Sequence, residues 1–310
     1  MKSLIRIGTR GSKLALYQAE LVRSKLKESF RLFQFEFVKI HTKGDMVRHA
    51  KLGALGPGIF THEIENALLE NEIDLAVHSA KDLATDLPEG LEIGAISDRE
   101  DPRDCLVARG GKTLNQLQSG ARIGTSSLRR RAQLKRMRSD LEIVEMRGNV
   151  DTRLRKIDEG SFDGMVVACA GLNRLGLSNF VTQIFDEEAF LPQAGQGALA
   201  IEMRKGDQEI KELVQTINHG PSYQRILAER SFLRRLQGGC QIPVGIASKI
   251  EDGILTLKGA IFSIDGEEEI VDTFAGPVSE AEKAGTLLAE KLLESGGEEI
   301  LEAIWNNYEK

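Results

Sequence analysis

The sequence predicts an α/β protein over its first two thirds and an α+β unit over its last third. Three observations carry this prediction. Short apolar segments alternate with amphipathic ones from Leu4 to about residue 217, a βαβ spacing that predicts parallel sheets covered by helices. The later segments "GIASKI", "ILTLKGAIFSI" and "EEIVDTFAG" are separated by "EDG" and "DGEE" turns, which predicts an antiparallel meander. At 310 residues the chain is long enough to divide into two or three domains.

The elements follow in order. "LIRIGTR" reads as a strand, followed by a helix from Ser12 to about Ser29. "FQFEFVKIHT" alternates at period two and is a strand, whereas "GIFTHEIENALLENE" has helical spacing. "DLAVHSA", "EIGAI", "DCLVAR", "ARIGTS", "EIVEMR" and "GMVVACA" are further strands, with helices at Ser127–Arg138 and Val150–Glu159. A helix over "SYQRILAERSFLRRLQ" opens the last unit near residue 218. Helices at Ser279–Leu293 and Glu298–Tyr308 close it.

Composition removes several function classes. The chain is 41% hydrophobic and 28% charged, ordinary for a globular protein. Its apolar runs are too short to span a membrane. "MKSLIRIGTR" holds no apolar stretch of signal-peptide length, so a cytoplasmic location is expected. Three widely spaced cysteines make neither a disulfide framework nor a zinc pattern, so no metal is expected. A net charge of -6 and 5% aromatics oppose nucleic-acid binding.

Against that acidic balance, "GTSSLRRRAQLKRMR" stands out. Arg129 and Arg130 fall in the first turn of a helix, where the dipole disfavours cations by roughly 0.3–1 kcal/mol each. An anion at that helix start removes the cost, met by backbone N–H groups, the Thr125 and Ser127 hydroxyls and the arginine forks. The alternative is a solvated helix with an unfavourable start. Other strand ends repeat the theme: Arg10 and Ser12, then Ser79, Lys81 and Asp82, then Arg147 with Arg153 one turn into the next helix. Ligands in open α/β sheets bind beyond the carboxyl ends of strands. With no phosphate loop in the chain, a multi-carboxylate ligand fits best. Asp82 is the one acid among these cations. It either carries protons and steadies a developing positive charge, or forms a salt bridge with Lys81 or an arginine. Cys105 and Cys169 read as small buried hydrophobes in apolar strands. Cys240, after Gly238 and Gly239, is a loop thiol suited to nucleophilic attack or to attachment of a group.

Taken in order, "GTRGSKLAL", "TKGD", "AVHSAKDL", "IGTSSLRRRAQL", "RGNVDTRL", "AGLNRLG", "PQAGQGALAIE" and "ERSFLRRLQGGCQIPVG" resemble the porphobilinogen deaminase family from Ile7 to about Ser248, and more weakly beyond. The resemblance implies condensation of four porphobilinogen molecules with loss of ammonia, followed by hydrolysis to hydroxymethylbilane. It implies a dipyrromethane cofactor on a loop cysteine, matched here by Cys240, and a catalytic acid matched by Asp82. It assigns Ser79, Lys81, Thr125, Ser127, Arg129, Arg130 and Arg147 to cofactor binding, and Arg10, Ser12, Arg153 and Arg174 to substrate binding. The implied fold is two lobes like those of periplasmic solute-binding proteins, residues 1–97 with 195–217 and residues 98–194, plus a third domain over 218–310. A monomer with only small-molecule partners is expected.

Two departures stand out. The lysines expected near Gly53 and Pro57 are missing from "MVRHAKLGALGPGIF", where Arg48 or Lys51 are the candidates to compensate, and Ala84 stands where proline is usual. A degenerate family member and a non-catalytic carboxylate-binding protein are the competing readings.

Overall fold

The computed structural model describes residues 4–46, 61–238 and 242–308. It contains three sheets. The first begins with β1 (Leu4–Arg10), after which Ser12 caps α1 (Lys13–Ser29) by accepting a hydrogen bond from the Ala15 N–H. The buried residues of α1, Gln18, Ala19, Val22 and Leu26, form one stripe against the sheet. The chain continues through β2 (Gln34–Ile40), the single turn α2 (Lys43–Met46), α3 (His62–Leu69), β3 (Leu75–Ser79) and β4 (Leu91–Ile96).

A crossing segment then leads to the second sheet. Its elements are β5 (Asp104–Ala108), β6 (Arg122–Gly124), α4 (Leu128–Met137), β7 (Glu142–Val144), α5 (Val150–Asp158), β8 (Gly164–Ala168), α6 (Cys169–Arg174) and the short β9 (Gln183–Ile184). The chain returns to the first sheet as β10 (Leu199–Arg204), followed by α7 (Gln208–Gln215).

The strand orders are β2-β1-β3-β10-β4 and β7-β6-β8-β5-β9. The βαβ units are present, with β1 parallel to β2 and β3 and β6 parallel to β7 and β8, but neither sheet is purely parallel, which corrects the expectation of parallel sheets. β10 runs antiparallel to β3 and β4, and β5 antiparallel to β8 and β9. The reason lies in the connections. β5 and β10 are the strands by which the chain enters each sheet from the other. They start at the end where the parallel strands finish, so they must run the opposite way. β9, β10 and α7 are additional to the elements expected from sequence. Two smaller corrections affect candidate residues. Cys169 opens α6 rather than ending a strand, and β7 stops at Val144, so Arg147 lies in the following loop.

The last unit is α8 (Gly220–Arg235), the antiparallel meander β11 (Val244–Glu251), β12 (Ile254–Phe262) and β13 (Glu269–Pro277), then α9 (Ala281–Leu292) and α10 (Glu298–Tyr308). Phe232, Leu257, Ile261, Leu288 and Leu301 are fully buried in its core. Glu229 of α8 ties this unit to both crossing segments. Its carboxylate accepts two hydrogen bonds from Arg99 (2.5 and 3.1 Å) and one from the Gly195 N–H (2.7 Å), and it also holds the Ser248 hydroxyl of β11. Arg230 donates to the carbonyls of Ala84 (2.6 Å) and Thr85 (3.0 Å), anchoring the segment after Asp82.

Helices α8 and α9 pack in close contact. A Cβ on Gly285 would collide with the Ala228 carbonyl. Gly285→Ala should therefore lower stability by about 1–3 kcal/mol. Thermal melting of the two proteins checks this, and equal melting temperatures would contradict the contact.

Candidate active site

Four of the sequence-predicted residues line one small cavity of about 60 Å³ at the carboxyl ends of β1 and β3: Arg10, Ser12, Ser79 and Asp82. Gln18, Thr61 and His78 complete its polar lining. Ser79 ends β3, and Lys81 and Asp82 follow on a 3-10 turn. Gln18 donates to the Ser79 hydroxyl (2.9 Å), fixing it towards α1.

On the second sheet, Thr125 and Ser127 shape the start of α4. The Thr125 hydroxyl accepts from the Ser127 N–H (3.2 Å), and the Ser127 hydroxyl accepts from the Arg130 N–H (3.4 Å). The anion that relieves this helix start belongs to the chain itself. Arg129 donates to one oxygen of Asp104 (2.7 Å) and to the Leu191 carbonyl (2.7 Å). Arg130 grips the other oxygen through Nε (3.0 Å) and Nη2 (2.7 Å). All three residues are buried. Burial alone would push the Asp104 carboxyl up, but the two guanidiniums hold it well below the usual carboxylate range.

Gln196 links this cluster to the first sheet. Its Oε1 accepts from Lys81 Nζ (3.1 Å) and Arg130 Nη2 (3.4 Å), while its Nε2 donates to Asp104 (3.0 Å) and to the Pro102 carbonyl (2.7 Å). Gly195 and Gly197 flank it with φ of 77° and 91°, conformations that favour glycine. A Cβ on Gly195 would press on the Ala80–Lys81 backbone at 2.8–2.9 Å. The glycines let the two crossing segments touch.

The cations here disfavour one another. Burial first, then Arg130, lowers Lys81 to about 8. Burial and Arg130 likewise lower Arg153 to about 10. Burial lowers Arg174, which donates to the Gly197 carbonyl (2.6 Å). Arg153 donates to the Gly148 carbonyl (2.7 Å), and Arg147 pairs with Glu145 (2.6 Å) on its own loop. Such crowding suits a ligand carrying several negative charges.

Cys240 and the stretch with the missing lysines lie outside the described residues. Of the other cysteines, Cys105 is buried in β5, where the Cys169 thiol and burial push its thiol far up, consistent with a small hydrophobe. Sequence reasoning missed Asp104, Gln196 and Gln18. Asp104 carried a readable signal: an acid opening an otherwise apolar buried strand needs a cationic partner.

A family model described as "Porphobilinogen deaminase, dipyromethane cofactor binding domain" matches residues 5–212, and "Porphobilinogen deaminase, C-terminal domain" matches residues 223–294. A porphobilinogen deaminase of Desulforudis audaxviator is 50% identical over 302 residues, covering 97% of this chain and 98% of that protein. One from Syntrophobacter fumaroxidans is 48% identical over 303 residues, again covering 97% and 98%. Among solved structures, the methionine-binding protein MetQ overlays with a TM-score of 0.47 at 15% identity, covering 72% of this chain and 93% of its own.

The Asp104 cluster makes a testable claim independent of ligand. Asp104→Asn leaves two buried guanidiniums without their counter-charge and should cost about 3–5 kcal/mol in urea unfolding. A loss below about 1 kcal/mol would show that solvent reaches the pair.

Proposed function

Since the chain belongs to the porphobilinogen deaminase family, we propose that its cleft carries out the family's stepwise condensation of porphobilinogen to hydroxymethylbilane, with each residue acting as follows. The observation that carries this reading is the placement of one carboxylate, Asp82, in a cavity shared with Arg10, Ser12 and Ser79 and next to Lys81, which feels both Asp82 and Arg130.

The family's cofactor domain binds dipyrromethane, and the residues present fit such a group. Dipyrromethane bears several carboxylates, and the depressed Lys81 and Arg153 regain their protons most favourably beside anions. Cys240 would hold it by a thioether. Lys81 and Arg130 would take its carboxylates, helped by Ser79, Thr125, Ser127 and Arg147. Arg129 acts through Asp104, orienting Arg130. When bound, the cofactor supplies the pyrrole chain to which substrate units are added.

Porphobilinogen brings an acetate, a propionate and an aminomethyl group. Arg10, Ser12, Arg153 and Arg174 would bind the acidic arms. Loss of ammonia, with the C–N electron pair leaving on nitrogen, makes the substrate a cationic azafulvene. The Asp82 carboxylate steadies that cation and accepts the proton released when the new carbon–carbon bond forms. The three sheets, with β10 completing the first, support a division into residues 1–97 with 195–217, 98–194 and 218–310. We place the enzyme in the cytoplasm as a monomer; no helix among the described residues is long and apolar enough to cross a membrane.

Two measurements test the reading. Intact mass should show an adduct of two deaminated porphobilinogen units on the wild type and on Asp82→Ala, and none on Cys240→Ser. Asp82→Ala should lose about 10²–10⁴-fold in turnover; full activity in that variant would remove Asp82 from the chemistry. Lys81 gives the pH dependence. It binds the cofactor's carboxylates while protonated, so formation of the mass adduct on cofactor-free protein should slow as pH passes about 8, and Lys81→Arg should abolish that slowing. An unchanged pH dependence in Lys81→Arg would exclude Lys81 as its source.

A further inference from the structure

Behind the cleft, β3 carries a second set of titratable side chains for which the reaction above gives no role. His78 lines the cavity, and its Nε2 lies 3.0 Å from Glu202 Oε2. His78 pairs in register with Ala200, so Glu202, two residues along β10, is its diagonal neighbour on the same face. The first turn of α3 adds Glu65, which hydrogen-bonds Thr61 and feels both Glu202 and His78 electrostatically. The other charged groups acting on this set are His62 of α3, which acts on Glu65, and Arg230 of α8, which acts on Glu202.

The two carboxylates are 4% and 0% exposed. In each, Oε1 is buried with no hydrogen-bond partner among the described residues. Two buried, electrostatically coupled carboxylates on α3 and β10, both ionised and each with an oxygen lacking a donor, are strongly unfavourable. A metal ion does not resolve this: no group of three or more His, Cys, Asp or Glu among the described residues is placed to hold one. A single proton does, because a protonated Glu65 donates to Glu202 and supplies both oxygens at once.

We propose that Glu65 and Glu202 share one proton, and that His78, held by Glu202, is a positioning residue for the Ser79–Asp82 wall of the cleft. Burial raises Glu65, in the direction this arrangement requires. The folded chain then keeps a proton that the unfolded chain has released. Stability therefore falls as pH rises from the ordinary carboxyl range through the folded value. Above that point two carboxylates face each other, and the strand bearing Ser79 is pushed out of register with Gln18. The positioning role rests on the deaminase reading; the shared proton does not.

Glu65→Gln is the informative variant, since its amide N–H replaces the shared proton at every pH. Infrared spectra of wild type at neutral pH should show a protonated-carboxyl stretch that Glu65→Gln lacks. The fall in melting temperature with pH should flatten in the variant. At saturating substrate, with the cofactor already attached, Glu65→Gln should keep kcat within about twofold and lose the alkaline decline, whereas Glu65→Ala should fall about tenfold in kcat with little change in KM. Wild type without a protonated-carboxyl band, or Glu65→Gln with the wild-type pH profile of kcat, overturns the proposal. If Glu65→Gln does not fold, carboxyl-¹³C glutamate labelling of the wild type decides: a buried resonance in the protonated range at neutral pH supports the shared proton, and its absence overturns it. The spectra stand whether or not the protein condenses pyrroles, so failure of the two readings can be told apart.

Discussion

Asp104 is a fully buried carboxylate that accepts hydrogen bonds from Arg129, Arg130 and Gln196. The positions of the other cleft residues follow from it. An ionised group that far from water persists only if its partners are fixed, and its partners come from two separated parts of the chain. Arg129 and Arg130 start α4, so the pair sets where that helix begins. Gln196 sits between two glycines in the returning segment and extends the network to Lys81 beyond β3. The same carboxylate thus sets the spacing between the basic edge of the second sheet and the acid-bearing edge of the first.

This arrangement separates cations paired with buried acids from cations that crowd one another. Arg129 and Arg99 are consumed internally, by Asp104 and Glu229. Lys81 and Arg153 are depressed by burial first and then by Arg130. A polyanion entering the cleft meets groups whose protonated forms it stabilises, so binding and protonation reinforce each other. Glu229 adds a mechanical link, since one carboxylate of the third unit holds both segments connecting the first two sheets. The unit whose α8 leads toward Cys240 therefore cannot move without loading that junction.

The acidic side of the cleft is built on the same economy of partners. His78, Glu202 and Glu65 lie on the face of β3 and β10 that packs against α3, and they reach the cavity only through the imidazole. Ser79 and Asp82 contact ligand space directly, while the buried acids behind them govern how rigidly that wall stands. Polar residues at the back of an active-site strand are costly unless fully paired, which makes their protonation state part of the site's geometry.

Much of the site was legible because it is local. A strand ending in Arg10 with Ser12 capping the next helix, or in Ser79 followed by Lys81 and Asp82, is a pattern of a few residues, and alternation of apolar and polar positions reveals the strand itself. The positions of most helices, though not of α6 or α7, the antiparallel meander and the kinship of the long motifs were likewise determined by the sequence alone. What only the tertiary structure decided is which basic residues find an internal acid. Asp104 lies 25 and 26 residues from its arginines and 92 from Gln196, and no local periodicity encodes a pairing across that span. Strand direction was hidden for the same reason. β5 and β10 carry the same apolar pattern either way round, and only the path by which each enters its sheet makes it antiparallel.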